Sequence, residues 1–511
     1  MDPEFALSRT QLPLAFLYRH ARETPERAAL MQAGRQISYG ELLQRVQVAA
    51  ARLAAAGVQA EDRVVLLAGN SLDYPVAVYA VGYLGALIVP INFRLATGEI
   101  AYILQDCTPR VVLADEERVA AAQDAARDAG SQVLGLSAVT ACDGPLPVVL
   151  PPAAPAADAD QAIMYTSGTT GRPKGAVLTY GNVLAASQAM FETWNFVPGE
   201  DVILVVTPMF HIAAFNVLRG GLNAGVTLLV APSMLFDADQ TLDLIERERV
   251  THTFMVPAQW QMMIDAQQQR ARDLSSLKLY VYGAAPATRA LLVALSQTFT
   301  SGEPRQAFGQ TETTASGVSL APQYALSKLG SVGLPDRRYS VRVVDGNMQD
   351  VPRGEVGEIV YRGPGVMSRY WNNEAATAEA FHGGWFHSGD LVRQDEDGFI
   401  YVVDRAKDMI ISGGENIYSA ELESVVASHP QVLDVAIVGR ADEKWGEIPV
   451  AVVVPRDPAD APTLEEIRAF CDGKLARYKQ PRALRVIEQF PRTGTGKIQK
   501  NLLRQQVSED A

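Results

Sequence analysis

Cysteine is scarce in this 511-residue chain: Cys107, Cys142 and Cys471 are all there are, far apart and without metal-ligand spacing. That excludes a disulfide framework and a cysteine-built metal cluster, and reduced thiols of a cytoplasmic protein are expected. Positive charge is in deficit, with 45 basic against 58 acidic residues and a net charge of −13. General nucleic-acid binding, which favours basic surfaces, is therefore not expected. A nucleotide ligand needs only a local positive site and stays open. Residues 74–93 form an uncharged run long enough to span a bilayer. Pro75, Gly82, Gly85 and Pro90 interrupt it, and it divides better into a buried helix through Leu84 and a strand over 86–91. No integral membrane association is expected. Residues 1–5, MDPEF, read as a vector-derived remnant, and no basic stretch ahead of an apolar run follows them. Internal repeats and long low-complexity tracts are lacking.

What remains is ordinary globular composition, 48% apolar and 20% charged, in a chain long enough for two or three domains. Ser38 and Glu41 form a capping-box pattern that opens a helix ending near Gly57. Apolar strands at 64–67, 86–91, 111–113, 202–206, 227–230 and 279–282 alternate with helical segments such as 240–249. This rhythm predicts α/β layers with substantially parallel sheets. A Pro- and Ala-rich segment at 146–159 reads as a link within this large region. After Leu334 the texture changes to short strands at 339–345, 357–362, 391–393 and 399–403, a β-rich subdomain. Beyond Asp404 a compact α/β tail is predicted, with helices at 420–428 and 464–475 and strands at 435–438 and 450–454.

The most informative segment is MYTSGTTGRPKG, residues 164–175. It follows the apolar end of a predicted strand. Gly168, Gly171 and Gly175 let backbone N–H groups converge on an anion without Cβ obstruction. Thr166, Ser167, Thr169 and Thr170 add hydroxyls, and Lys174 adds charge. The segment reads as a polyphosphate cradle, although its spacing is not that of a Walker A loop.

This segment resembles the signature of the adenylate-forming superfamily, which includes acyl-CoA synthetases, firefly-type luciferases and peptide-synthetase adenylation domains. Further motifs follow in order, and the resemblance extends from about Phe16 to Leu503. Gly283, Ala284, Ala285 and Pro286 resemble the turn that lies along the adenine. The segment AFGQTET, 307–313, resembles the family's Y-G-x-T-E element, with Phe308 in place of the usual Tyr before Gly309. The resemblance implies that Thr311 contacts the α-phosphate or substrate carboxylate and that Glu312 holds Mg²⁺. In WFHSGD, 385–390, Asp390 would bind the ribose hydroxyls, and Ser388 replaces the usual Thr. In DRAKD, 404–408, Arg405 would contact the nucleotide and Lys407 would be the hinge, with Asp404 in place of the usual Gly. SGGEN, 412–416, resembles the loop lining the pantetheine tunnel, through Gly413 and Gly414. PRTGTGKI, 491–498, resembles the motif of the catalytic lysine, Lys497, which would gather negative charge at phosphorus.

The resemblance implies ATP, Mg²⁺ and coenzyme A as cofactor and co-substrates of an AMP-forming acid–CoA ligase. It implies a fold with a large N-terminal adenylation domain at 6–404, layered α/β sheets plus the β-rich subdomain, and a small mobile α/β C-terminal domain at 405–511. Trp445 resembles the aromatic beside the pantetheine tunnel. Arg94, Lys479 and Arg482 are candidates for the CoA nucleotide or plain solvated cations, and Tyr478 would face the nucleotide or the CoA adenine. TPMFH, 207–211, resembles an element of acyl- and aryl-CoA ligases, which makes His211 a gate bordering the acyl pocket. Ile212, Ala213, Phe254, Ala285, Thr314 and Ala315 are candidate lining residues, mostly apolar, suiting a medium fatty chain or an aromatic ring. A carrier protein as acyl acceptor, a luciferase-like oxygenase and a catalytically dead nucleotide binder are the rival readings. A monomer or homodimer is expected.

Overall fold

The computed structural model describes residues 13–142, 153, 155–166, 173–232, 235–285, 287–413, 415–492 and 498–509. The leading remnant and most of the 146–159 link lie outside them. The chain divides into two compact units, one of residues 1–168, 172–341 and 361–386, the other of 169–171, 342–360 and 387–511.

The first unit is built on two large sheets. Among the described residues, one has nine strands, in the order Leu334–Pro335, Val318–Leu320, Glu303–Phe308, Leu279–Gly283, His252–Met255, Val202–Val205, Thr227–Val230, Ala28–Gln32 and Arg35–Ser38. Neighbours from Glu303–Phe308 through Ala28–Gln32 are parallel, and the strands beyond them at either edge pair antiparallel. The other sheet runs Arg369–Tyr370, Lys174–Thr179, Asp160–Thr166, Leu87–Pro90, Arg63–Leu67, Val111–Ala114 and Gln132–Gly135. Its strands from Asp160–Thr166 onward are parallel. The apolar runs of the central strands follow from this, because a parallel strand covered on both faces has no side that tolerates polar residues.

Helices pack these sheets. The core around Trp260 shows how. Its side chain is fully buried, its indole N–H donates to the Val281 carbonyl at 3.1 Å, and its ring meets Tyr280 and Phe299 edge-on. The uncharged run 74–93 becomes the helix Asp73–Tyr83, buried from Tyr74 onward, followed by the strand Leu87–Pro90. Pro75 lies in the first helical turn, where its missing N–H leaves no bond unmade. Gly85 ends the helix with φ +70°. Among the described residues no helix is long and apolar enough to cross a membrane.

The second unit carries most of a four-stranded sheet, Ser340–Val344, Val356–Arg362, Phe386–Gln394 and Ile400–Arg405. Its other sheet is dominated by a long hairpin, Val432–Asp442 with Gly446–Pro455, flanked by Ile410–Ser412, Glu415–Ile417 and Ala483–Val486. The helices Ser419–Val426 and Leu464–Cys471 bury Leu422, Val426 and Ile467 against one face of that hairpin.

Several boundaries move from expectation. The helix Tyr39–Ala55 is capped by Ser38, whose hydroxyl accepts from the Glu41 amide at 3.2 Å. The reciprocal half of the capping box is not formed, because the Glu41 carboxylate is taken by Arg45. The helix expected at 240–249 is Ala238–Arg247, capped by Asp237 and stopped before Arg249, which adopts φ +52°. The helix expected to reach 475 ends at Cys471, ahead of Gly473 at φ +74°. The hairpin strands outrun their apolar cores because backbone pairing continues through polar positions.

Candidate active site

The antiparallel strands Asp160–Thr166 and Lys174–Thr179 pair Thr166 with Lys174 across their open end. The strands on either side of the glycine-rich segment are therefore antiparallel neighbours, whereas a Walker A loop lies between a strand and a helix. Ser167, Gly168, Thr169, Thr170 and Gly171 lie outside the described residues, as do Pro286, Gly414 and Lys497. Thr166 and Lys174 stand at the stem, the threonine hydroxyl donating to the Lys174 carbonyl at 3.4 Å.

Glu312 sits in the short turn Thr311–Thr313, nearly buried, with its carbonyl accepting from the Met367 amide at 2.7 Å. Its carboxylate accepts a 2.9 Å hydrogen bond from the hydroxyl of Tyr370. The Lys174 ammonium lies 5.3 Å from the centre of the same tyrosine ring. Three segments remote in sequence thus meet at one aromatic side chain. Burial foremost, then the Glu312 charge, pushes the Tyr370 phenol well above its ordinary range, so it stays protonated as a donor. Sequence reasoning missed Tyr370. The signal available was its place in an R-Y-W-N-N run directly after a small-residue turn, which by itself reads as a surface strand.

Among the described residues no three His, Cys, Asp or Glu side chains cluster as a metal cage. One carboxylate beside a phosphate loop is nonetheless what Mg²⁺ takes when substrate phosphates and water complete its shell. The residues present fit that mode.

The turn expected to lie along the adenine begins at Gly283. Gly283 pairs in parallel with Ala307, and a Cβ at 283 would stand 2.2 Å from the Ala307 carbonyl oxygen, so only glycine fits. Ala284 follows with φ +63°, and both Ala284 and Ala285 are exposed. Phe308 ends the strand Glu303–Phe308, half-buried, with Gly309 exposed beyond it.

The acyl-pocket candidates gather on the helix Ile212–Ala224 and the turn after Thr313. His211 caps that helix, its Nδ1 accepting from the Ala213 amide at 3.3 Å, which leaves the ring proton on Nε2. Asn216 donates to the Thr314 carbonyl at 3.2 Å, and the Thr314 hydroxyl donates to the Gly365 carbonyl at 2.7 Å. Thr314 and Ala315 both hold left-handed φ, +53° and +54°, a strained turn of the kind found where side chains must be aimed. Phe254, on the strand His252–Met255, lies 3.4 Å from where a Cβ on Gly283 would be. Arg94 is exposed, over the Phe93 ring at 5.1 Å, with Arg118 at 4.6 Å from that ring; burial and Arg118 lower its pKa.

In the second unit, the antiparallel register sets Asp390 opposite Arg405, and the two side chains form an ion pair. Asp390 is buried, its amide donating to the Ser388 hydroxyl at 3.0 Å. Lys407 is exposed, and its carbonyl accepts from Arg504 at 3.0 Å. Gly413 holds φ +62°, and a Cβ there would lie 2.9 Å from the Trp445 ring. Arg482 stacks on the same ring, 4.0 Å from its centre. Lys479 is held by both oxygens of Glu421, at 2.8 and 2.7 Å, while Tyr478 is 39% exposed. Gly413, Trp445 and Arg482 thus form one cluster, and Lys479 is committed to a neighbouring carboxylate.

Lys174, Tyr370 and Glu312 meet in the first unit, and Asp390 pairs with Arg405 in the second. The chain belongs to the AMP-binding enzyme family: the family model matches residues 17–371, and the model of the AMP-binding enzyme C-terminal domain matches 421–497. It is 38% identical over 508 residues to the indoleacetate–CoA ligase of Aromatoleum aromaticum, covering 96% of this chain and 97% of that one. It is 38% identical over 504 residues to a feruloyl-CoA synthase of an Amycolatopsis species, covering 95% and 97%. The o-succinylbenzoate CoA synthetase of Bacillus subtilis, solved with its acyl-adenylate intermediate, superposes with a TM-score of 0.87 at 32% identity, covering 96% of this chain and 97% of that one. That synthetase has also been solved with ATP and a magnesium ion.

Proposed function

We propose that this protein is an ATP-dependent acid–CoA ligase that activates an aromatic or medium-chain carboxylic acid as its acyl-adenylate and transfers the acyl group to coenzyme A. The observation that carries the reading is the junction of Lys174, Tyr370 and Glu312 at the stem of the phosphate hairpin. Ring-bearing acids are the acids named for the relatives above, and they make an aromatic acid the first choice.

A carboxylate is a poor acyl donor because its leaving group would be oxide. Joined to AMP as a mixed anhydride, it leaves readily. The task is to bring two anionic reactants together, which requires positive charge and preorganised donors. Lys174 and the hairpin hold the β- and γ-phosphates. Glu312 holds Mg²⁺, which supplies charge neutralisation at the phosphate oxygens. Thr311 contacts the α-phosphate or the acid, and Asp390 and Arg405 take the ribose and nucleotide. Lys497 stabilises the charge gathered as the acid oxygen attacks phosphorus. The region 405–511 then turns about Lys407, withdrawing Lys497 and presenting Gly413 and Gly414 for the thiol. Trp445 lines the pantetheine path, Arg94, Lys479 and Arg482 are the cations for the CoA nucleotide, Lys479 reaching it from its ion pair with Glu421, and Tyr478 faces the nucleotide or the CoA adenine. His211, with Ile212, Ala213, Phe254, Thr314 and Ala315, borders the acyl group. We place the enzyme in the cytoplasm, where its three unpaired cysteines stay reduced. Light scattering distinguishes monomer from homodimer.

The test is purified protein with ATP, Mg²⁺ and CoA against a panel of aryl and fatty acids, reading AMP and thioester. CoA-dependent thioester with aryl acids is the expected result. Pyrophosphate exchange without thioester would move the acceptor to a carrier protein, and thioester with fatty acids alone would move the substrate class.

A further inference from the structure

Glu312 and Lys174 carry opposite charges and stand at one site, yet no ion pair joins them. Among the described residues, the Glu312 carboxylate receives one hydrogen bond, from Tyr370. Lys174 faces the same tyrosine from its ring side. A carboxylate cannot donate, so the phenol must, and it fixes one carboxylate oxygen while leaving the other for a cation. The ring meanwhile offers the ammonium a π face in place of that carboxylate.

Tyr370 is itself held firmly. The strand Arg369–Tyr370 pairs with Lys174–Thr179, setting Tyr370 beside Ala176, two residues from Lys174. Its amide donates to the Thr377 hydroxyl at 3.0 Å, and Arg369 is clamped by both oxygens of Asp160 at 3.0 and 2.6 Å. The backbone of Glu312 is tied to the same segment through Met367. The tyrosine therefore moves with the hairpin strand and with the carboxylate turn.

We propose that Tyr370 is a positioning residue for the metal–nucleotide step: its hydroxyl orients Glu312 toward the cation, and its ring keeps Lys174 from collapsing onto that carboxylate. The inference rests on the ligase reading only in taking Glu312 as the Mg²⁺ carboxylate. In the free protein the spacer leaves both charges available, the cation site to the metal and the lysine to the phosphates.

The experiment measures Mn²⁺ binding by electron paramagnetic resonance in the presence of α,β-methylene-ATP, which needs no acid and no turnover. Tyr370→Phe, which keeps the ring, is expected to weaken Mn²⁺ binding about tenfold. It should leave nucleotide affinity without metal unchanged. Tyr370→Leu, which also removes the ring, is expected to weaken metal-free nucleotide binding as well, because Lys174 becomes free to pair with Glu312. In a Glu312→Gln background the Tyr370→Phe change should add nothing. Mn²⁺ affinity within twofold of the parent for Tyr370→Phe, or a full additive loss in the Glu312→Gln background, overturns the proposal. So does equal loss with and without metal, the mark of general misfolding. Normal Mn²⁺–nucleotide binding in a protein that activates no acid would sink the ligase reading and leave this one standing.

Discussion

At the scale of single residues, shape constraints separate the two half-reactions. Gly413 combines a left-handed φ of +62° with a site where a Cβ would press to 2.9 Å on the Trp445 ring. A side chain there costs about 1–2 kcal/mol in backbone strain and pushes the indole aside. Gly413→Ala is therefore expected to slow thioester formation roughly 10- to 100-fold. Pyrophosphate exchange should stay near the parent value. Quenched-flow assays of the two steps check this, and equal losses in both would detach Gly413 from the thiol step. The candidate residues could be named from the sequence because glycine, threonine and lysine in a fixed order point to an anion site. Tyr370 could not, because its importance lies in a hydrogen bond to a residue 58 positions away.

Among the elements, the buried face of His252 on the strand His252–Met255 makes stability depend on pH. Its Nδ1 meets the Thr251 hydroxyl at 2.8 Å, its Nε2 the Trp194 carbonyl at 3.0 Å, and its ring stacks on Trp194. Burial lowers its pKa from the ordinary 6.5, and nearby Lys278 adds to this, against the opposing pull of Asp201. Burial likewise lowers His20. In the unfolded chain these rings take protons below about pH 6.5, while in the fold they resist, so protons favour unfolding. Stability is expected to be full above that pH and to fall as pH drops through it toward the lower folded values. Calorimetry between pH 7.5 and 5.5 should show this fall, and His252→Gln should flatten it while lowering Tm at pH 7.5. Strand and helix positions were readable here from alternation and apolar runs. Their ends were not, since Asp237 rather than Gln240 opens one helix and backbone pairing lengthens the 432–455 hairpin past its apolar stretch.

For the whole molecule, the ligase reading divides labour between the region 6–404 and the region 405–511. Lys497 belongs to the first half-reaction alone in this scheme. Lys497→Ala is expected to lower acyl-adenylate formation by roughly 10²- to 10³-fold. Supplied with preformed acyl-adenylate, the variant should still make thioester with CoA near the parent rate. Loss of both steps would place Lys497 in the second as well, and loss of neither would remove it from the mechanism.

The order of seven motifs along the chain determined by itself the family, the use of ATP and the α/β class, because the motifs of a nucleotide-binding family are written in contiguous residues. The parallel layers were likewise implied by strands too apolar to face water. Only the tertiary structure decided that the strands flanking the glycine-rich segment pair antiparallel, that Asp390 and Arg405 are cross-strand partners, that Lys479 is committed to Glu421, and that one tyrosine stands between Lys174 and Glu312. These are facts of register and of side chains meeting from distant segments, and no local pattern of residues encodes them.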